Sequence, residues 1–97
     1  MKFEIAPKET EIKANWDDAR LYCFFLNIDG KIGWQLPTKE ELNEIYKLEN
    51  DFEKKWYWSS TVEDGAGAWF QNFYDGSQYT TTKYYGSSYV RAVRDLT

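Results

Sequence analysis

The spacing of apolar positions changes twice along this chain. Lys2 to Ile5 alternate, with Phe3 and Ile5 apolar against Lys2 and Glu4, the period of a half-buried strand. Pro7 ends that strand or marks it as an edge. Glu9 to Lys13 read as a turn or a short second extended piece around Ile12. Trp16, Ala19, Tyr22, Cys23 and Leu26 then recur at three- and four-residue spacing, with Phe25 beside them. The spacing predicts an amphipathic helix over Trp16–Leu26. Asn15 suits its N-cap, and Asp17 and Asp18 fall in its first turn, where acids complement the helix dipole. Asn27 to Gly30 stops it, with Asp29-Gly30 supplying the turn chemistry.

Ile32 to Leu36 is a short extended segment closed by Pro37. Thr38-Lys-Glu-Glu41 has the form of a capping box. Leu42, Ile45, Tyr46 and Leu48 then supply the buried stripe of a second helix over Lys39–Leu48. Glu49 to Lys55 is charged and looped, with Phe52 as an anchor. From Trp56 the period falls to two. Tyr57–Thr61, Ala68–Tyr74, Gln78–Tyr84 and Tyr89–Arg94 read as strands, separated by turns at Glu63–Gly67, Asp75-Gly76 and Gly86-Ser87-Ser88. A strand, two helices and an antiparallel meander make an α+β chain. Within Tyr57-Trp-Ser-Ser-Thr61, alternation predicts that Trp58 faces the core.

Length and composition narrow the functional classes. The 97 residues fit one domain, 1–97, and the aromatic share of 20% gives so short a chain a dense core. The net charge is -4, and Lys and Arg are scattered among acids. Nucleic acid binding needs a basic stripe, so no nucleic acid is expected as partner. No apolar run is long enough to span a membrane, and Met1-Lys-Phe-Glu lacks the apolar region of a signal peptide. Cys23 is the only cysteine, which favours a reducing compartment and a cytoplasmic location.

Five landmarks stand in a fixed order: Trp16 to Cys23 with Ala19 between; Trp34-Gln-Leu-Pro-Thr38 with Glu41-Leu42; Tyr57-Trp-Ser-Ser-Thr61; Ala68-Trp69 with Phe73 and Gly76; and Tyr89-Val-Arg-Ala-Val-Arg94. Over roughly residues 14–94 the chain resembles the bacterial and phage DUF1566 family, the Lcl C-terminal domain. The resemblance implies a C-type-lectin-like fold of the formylglycine-generating-enzyme type, with two helices packed on a small antiparallel sheet. It also implies a last strand that lies mid-sheet and pairs with the first. Two positions depart from the family pattern. Gln35 stands where an Arg is frequent, and Ala92 stands where a Cys can bridge to the helix position of Cys23. The resemblance therefore places Cys23 and Ala92 as core neighbours without a bridge, consistent with an intracellular home.

Candidate chemistry is sparse. The chain has no His, so common triads and His-based zinc sites do not arise. Cys23 on an apolar helix face reads as structural. Glu40-Glu41 and Glu63-Asp64 read as a cap and a solvated turn. No catalytic residue, metal site or cofactor is expected, although Glu63, Asp64 and Asp75 leave open a weak calcium site near Asp64 or Asp75. Tyr74, Gln78, Tyr79, Thr81, Tyr84, Tyr85 and Tyr89 lie in a Tyr/Thr/Ser/Gly mixture of the kind paratopes use. In the resembling fold this region corresponds to the ligand-binding face. The expectation is a non-catalytic recognition module that binds a protein, ahead of a glycan, through those residues. The alternatives are a phage-encoded intracellular effector docking on a host protein, or a decoration protein on a virion surface. A homodimer is compatible with each.

Overall fold

The computed structural model describes residues 2–86 and 88–96. Among these residues, two α-helices, one 3-10 turn at Lys8–Thr10 and eight strands form an α+β domain with two sheets. Helix α1 (Trp16–Phe25) starts where the sequence predicts, with the Asn15 side chain accepting from the Asp18 amide at 2.9 Å. Helix α2 (Lys39–Lys47) carries the expected capping box: Thr38 N donates to Glu41 Oε1 at 2.8 Å and Glu41 N to Thr38 Oγ1 at 3.1 Å. Asp29 and Gly30 have φ of 52° and 86°, and Ile28 pairs with Lys31 across them. Positive φ at both central residues is what a tight primed turn requires.

The single small antiparallel sheet expected from the sequence is two sheets. Strands β1 (Phe3–Ile5), β8 (Val93–Asp95) and β3 (Trp34–Gln35) form one, in the order β1-β8-β3. The other has the order β2-β7-β4-β5-β6, from Ile12–Ala14, Ser88–Val90, Trp56–Glu63, Gly67–Asn72 and Gln78–Thr82. β4, β5 and β6 form the predicted meander, while β7 meets β4 in parallel at Tyr57 and Tyr89. The predicted strand Tyr89–Arg94 is broken at Arg91-Ala92, because β7 serves one sheet and β8 the other. β8 does lie between β1 and β3, antiparallel to both. The expected turn Gly86-Ser87-Ser88 lies partly outside the described residues, and Ser88 belongs to β7.

The break is held by one side chain. Arg91 is buried and donates through Nε to Ala6 O at 2.6 Å, through Nη1 to Glu11 Oε2 at 2.8 Å and through Nη2 to Asp51 Oδ1 at 2.7 Å. The Phe52 ring covers the guanidinium, 4.7 Å from its centroid. Tyr57 Oη adds a bond to Glu11 at 2.8 Å and accepts from Glu53 N. Burial pushes the Tyr57 hydroxyl pKa up, so it stays a neutral donor.

Each face of the larger sheet has its own core. Trp58, Ala68, Val90 and Ala92 pack with Trp16, Ala19, Cys23, Trp34 and Leu36 on the α1 side. Tyr57, Phe73 and Val93 pack with Leu42, Ile45 and Phe3 on the α2 side. Trp58 is buried as expected, and Cys23 and Ala92 share one cluster. Neighbours on β4 point to opposite faces, so Tyr57 and Trp58 each anchor one core.

The Trp-Ser-Ser-Thr stretch carries a bulge. Trp58 pairs with Phe70 and Val62 with Ala68, so Ser59–Thr61 oppose Trp69 alone. A bulge releases backbone groups from the ladder, and these are used at once. Ser60 N donates to Pro37 O at 2.7 Å, Thr61 Oγ1 accepts from Lys39 N at 3.0 Å, and Ser59 O accepts from Trp16 Nε1 at 2.9 Å. The bulge therefore joins the start of α2 and the start of α1 to one strand.

Three measurements check this framework. Gly76 has φ 83°, and a Cβ there would come within 2.5 Å of the Tyr46 ring, whereas Gly30, with φ 86°, faces open space. Gly76→Ala is expected to cost about 2 kcal/mol or more in urea unfolding, and Gly30→Ala about 1 kcal/mol. Arg91→Met leaves Glu11 without its buried counter-charge and is expected to cost about 3 kcal/mol by the same method. Acid should also weaken the fold. Hydrogen bonding to Arg91 lowers the Asp51 pKa, bonding to Arg94 lowers that of Glu4, and bonding to Lys8 lowers that of Glu53. Folded pKa values below the unfolded ones give stability that is complete above the ordinary carboxylate range near pH ~4 and lost as pH falls through the folded values. The melting temperature should therefore hold level above about pH 5 and decline below about pH 4, and less steeply for Asp51→Asn.

Candidate functional site

Among the described residues, the titratable side chains singled out in the sequence hold core, capping, turn or exposed positions. Cys23 is buried, and burial pushes its thiol pKa up to about 12, so it is a protonated core residue rather than a nucleophile. Glu41 is committed to the cap of α2, while Glu40, Glu63 and Asp64 are exposed. Asp75 Oδ1 accepts from both Ser77 N and Ser77 Oγ, at 2.9 and 2.7 Å, which makes it a turn residue. Among the described residues, no group of three or more His, Cys, Asp or Glu side chains is arranged to hold a metal ion.

The seven residues singled out in the sequence are distributed over different parts of the surface. Tyr79 and Tyr85 belong to an aromatic row. Trp56 stacks on Phe70 at 4.2 Å, Tyr79 lies 6.1 Å from Trp56, and Tyr85 meets Phe70 edge-on at 6.1 Å. Thr81 shares that face of β6, opposite Ala68. Tyr84 is the most exposed, at 81%, and follows Lys83 in the adjoining turn. Tyr74 stands apart, beside Phe73, Tyr46 and Phe52 on the α2 side. Tyr89 packs on Tyr57 at 5.5 Å under Lys13. Gln78 is part of the framework, since its Nε2 donates to Lys39 O at 2.7 Å and to Gln71 Oε1 at 3.1 Å. Tyr79, Thr81 and Tyr85 thus come together with Trp56 and Phe70, and Tyr84 adjoins them along the chain.

A further exposed apolar surface lies elsewhere, at the C-terminal end of α1. Phe24 and Phe25 are 68% and 75% exposed, and Ile32 and Leu21 are open beside them. The two Phe rings meet edge to face at 5.1 Å. With Arg20, Trp34, Gln35, Leu36 and Ser60 they line a groove of about 770 Å³. Leu21 and Phe25 extend the same surface towards Ile12 and Tyr22. The sequence contained the signal for this. A helix that buries Trp16, Ala19 and Cys23 has no room on that stripe for consecutive Phe residues at positions 24 and 25. Phe25 therefore lies outside the buried stripe and is exposed at the end of α1 rather than packed beside the core.

The floor of this groove is apolar, from Trp34 and Leu36, and its rim carries the polar side chains of Arg20, Asn27 and Gln35. Apolar anchors ringed by polar groups are the usual anatomy of a protein-binding patch. Comparison with curated proteins yields no match. The family model described as the Lcl C-terminal domain matches residues 4–94, and the chain belongs to that family.

Proposed function

We propose that this domain is a non-catalytic recognition module that binds a protein partner through the α1 groove. The carrying observation is the exposure of Phe24, Phe25 and Ile32 around a concave apolar floor. Monomeric proteins seldom leave large contiguous apolar patches open unless they serve in binding. The complementary partner offers apolar anchors for the groove and an acidic group for Arg20 at its rim. A second surface supports the same activity: the row Trp56, Phe70, Tyr79 and Tyr85, with Tyr84 beside it, presents Tyr among Thr and Ser side chains. A glycan stacked on that row is the lesser alternative.

We also propose a C-type-lectin-like fold and a bacterial or phage source. The pairing of β1 with β8, which brings the chain ends together, supports the fold. The unbridged Cys23 supports a reducing, intracellular setting. An effector that docks on a host protein would use the groove in the same way, and so would a virion decoration protein.

The test compares partners recovered from the native host by the wild type, by Phe24→Ala/Phe25→Ala and by Tyr79→Ala/Tyr84→Ala/Tyr85→Ala, followed by titration of the recovered protein. The groove variant is expected to weaken binding about 30-fold or more, as loss of a hot spot does, with little change in stability because both rings are exposed. Loss confined to the Tyr variant would move the site to the aromatic row. Equal recovery by all three proteins sinks the recognition proposal.

A further inference from the structure

The larger sheet ends on β6, and no described strand pairs with its outer side. An open edge offers unpaired backbone groups to another chain, and proteins usually block it by shortness, charge, Pro or a bulge. The other edges here are blocked. β2 has three residues with Lys13 at its centre, and β1 and β3 have three and two residues. β6 has five residues, Gln-Tyr-Thr-Thr-Thr, without charge or Pro. Its register with β5 runs unbroken from Gly67↔Thr82 to Gln71↔Gln78. Tyr and Thr also favour the extended conformation.

The bonds flanking β6 show which groups face outward. Lys83 N donates to Ala66 O at 2.7 Å, and Asn72 N donates to Ser77 O at 2.9 Å. Both pairs continue the β5–β6 register. Bonded and non-bonded pairs alternate along an antiparallel ladder, so Tyr79 and Thr81 bond inward to β5. Gln78, Thr80 and Thr82 direct their N–H and C=O groups away from the sheet. Of these, Thr82 O already accepts from Tyr85 N at 3.1 Å.

The outward set is symmetric about Thr80. We propose that two copies of this chain join β6 to β6, antiparallel, across a two-fold axis at Thr80, so that one sheet runs through both. Thr80 then pairs with Thr80 of the second copy and Gln78 with Thr82 of the second copy through outward-facing groups, the Thr82 carbonyl using its second lone pair beside the bond from Tyr85 N. On the face of the aromatic row, Tyr79 lies opposite Thr81 of the second copy, a favourable aromatic and β-branched cross-strand pair. The flanking charges, Asp75 before the strand and Lys83 after it, fall near opposite rather than like charges across the axis. A two-fold interface needs this self-complementarity, whereas an unrelated strand would not. The α1 groove is not needed for the pairing, and failure of either proposal leaves the other standing.

Sedimentation equilibrium from about 1 µM to 1 mM spans the affinities such an edge would give. The wild type is expected to pass from the 11.6 kDa monomer to twice that mass. Thr80→Pro removes an outward N–H and no bond to β5, a change that edge strands tolerate. It should weaken dimerisation about 100-fold while circular dichroism shows the native fold. Thr80→Lys sets like charges opposite each other on the axis and should act the same way without touching the backbone. Amide exchange of the wild type gives a variant-free readout: Gln78, Thr80 and Thr82 should gain protection with concentration, while Tyr79 and Thr81 stay protected throughout. A wild type that remains monomeric over the whole range overturns the proposal. So does a dimer in which the Gln78, Thr80 and Thr82 amides exchange as fast as in the monomer.

Discussion

The architecture depends on the buried guanidinium of Arg91. The terminal segment has to leave one sheet and enter another, and a chain changing sheets exposes backbone groups that a ladder would otherwise satisfy. Arg91 fills that break. Its donors take up Ala6 O, Glu11 and Asp51, and Ala6 N donates to Ala92 O at 2.9 Å alongside. The N-terminal segment makes the corresponding change of sheet between β1 and β2, so both chain ends cross at the same place. A buried cation is costly unless paired on every side, and here carboxylates, a carbonyl and an aromatic face surround it. The loop of residues 49–55 is thereby fixed to the core, although its side chains are mostly charged.

The bulge at Ser59–Thr61 is the second joint. In a regular strand those backbone groups would be spent on the neighbouring strand. Released from the ladder, they hold Pro37 and Lys39 at the entrance to α2 and the Trp16 indole at the entrance to α1. Both helices are consequently placed by one irregularity on opposite faces of the same sheet. This gives the short Trp-Gln-Leu-Pro-Thr and Tyr-Trp-Ser-Ser-Thr stretches a shared physical role, because each completes the hydrogen bonding of the other.

With the framework so fully committed, the surfaces proposed for recognition are what neither core absorbs. Two aromatic cores consume Tyr57, Trp58, Phe73 and most of Tyr89, and polar contacts consume Gln78. What remains is the end of α1, where the helix surface turns away from the sheet, and the outer margin at β6 with its aromatic row. The first is concave and apolar. The second is an extended edge whose outer side pairs with no described strand. These are different physical offers, one suited to side-chain anchors and the other to a strand.

Periodicity in the sequence determined both helices nearly to the residue, since each has an N-cap and an apolar stripe within a few neighbouring positions. It also determined the meander β4–β5–β6 and the core position of Trp58, because alternation is local information. The family was legible from the order of the landmarks. Only the tertiary structure decided that the last strand is two, since Tyr89–Arg94 is one run without Gly or Pro and its Val-Arg-Ala-Val-Arg pattern does not say which strands it pairs with. The bulge was equally hidden, because it exists only relative to Trp69 on another strand. The division among the tyrosines was beyond local pattern for the same reason. Tyr79 and Tyr89 are alike in sequence context, and one faces solvent while the other rests on Tyr57 because of which strand lies next to each.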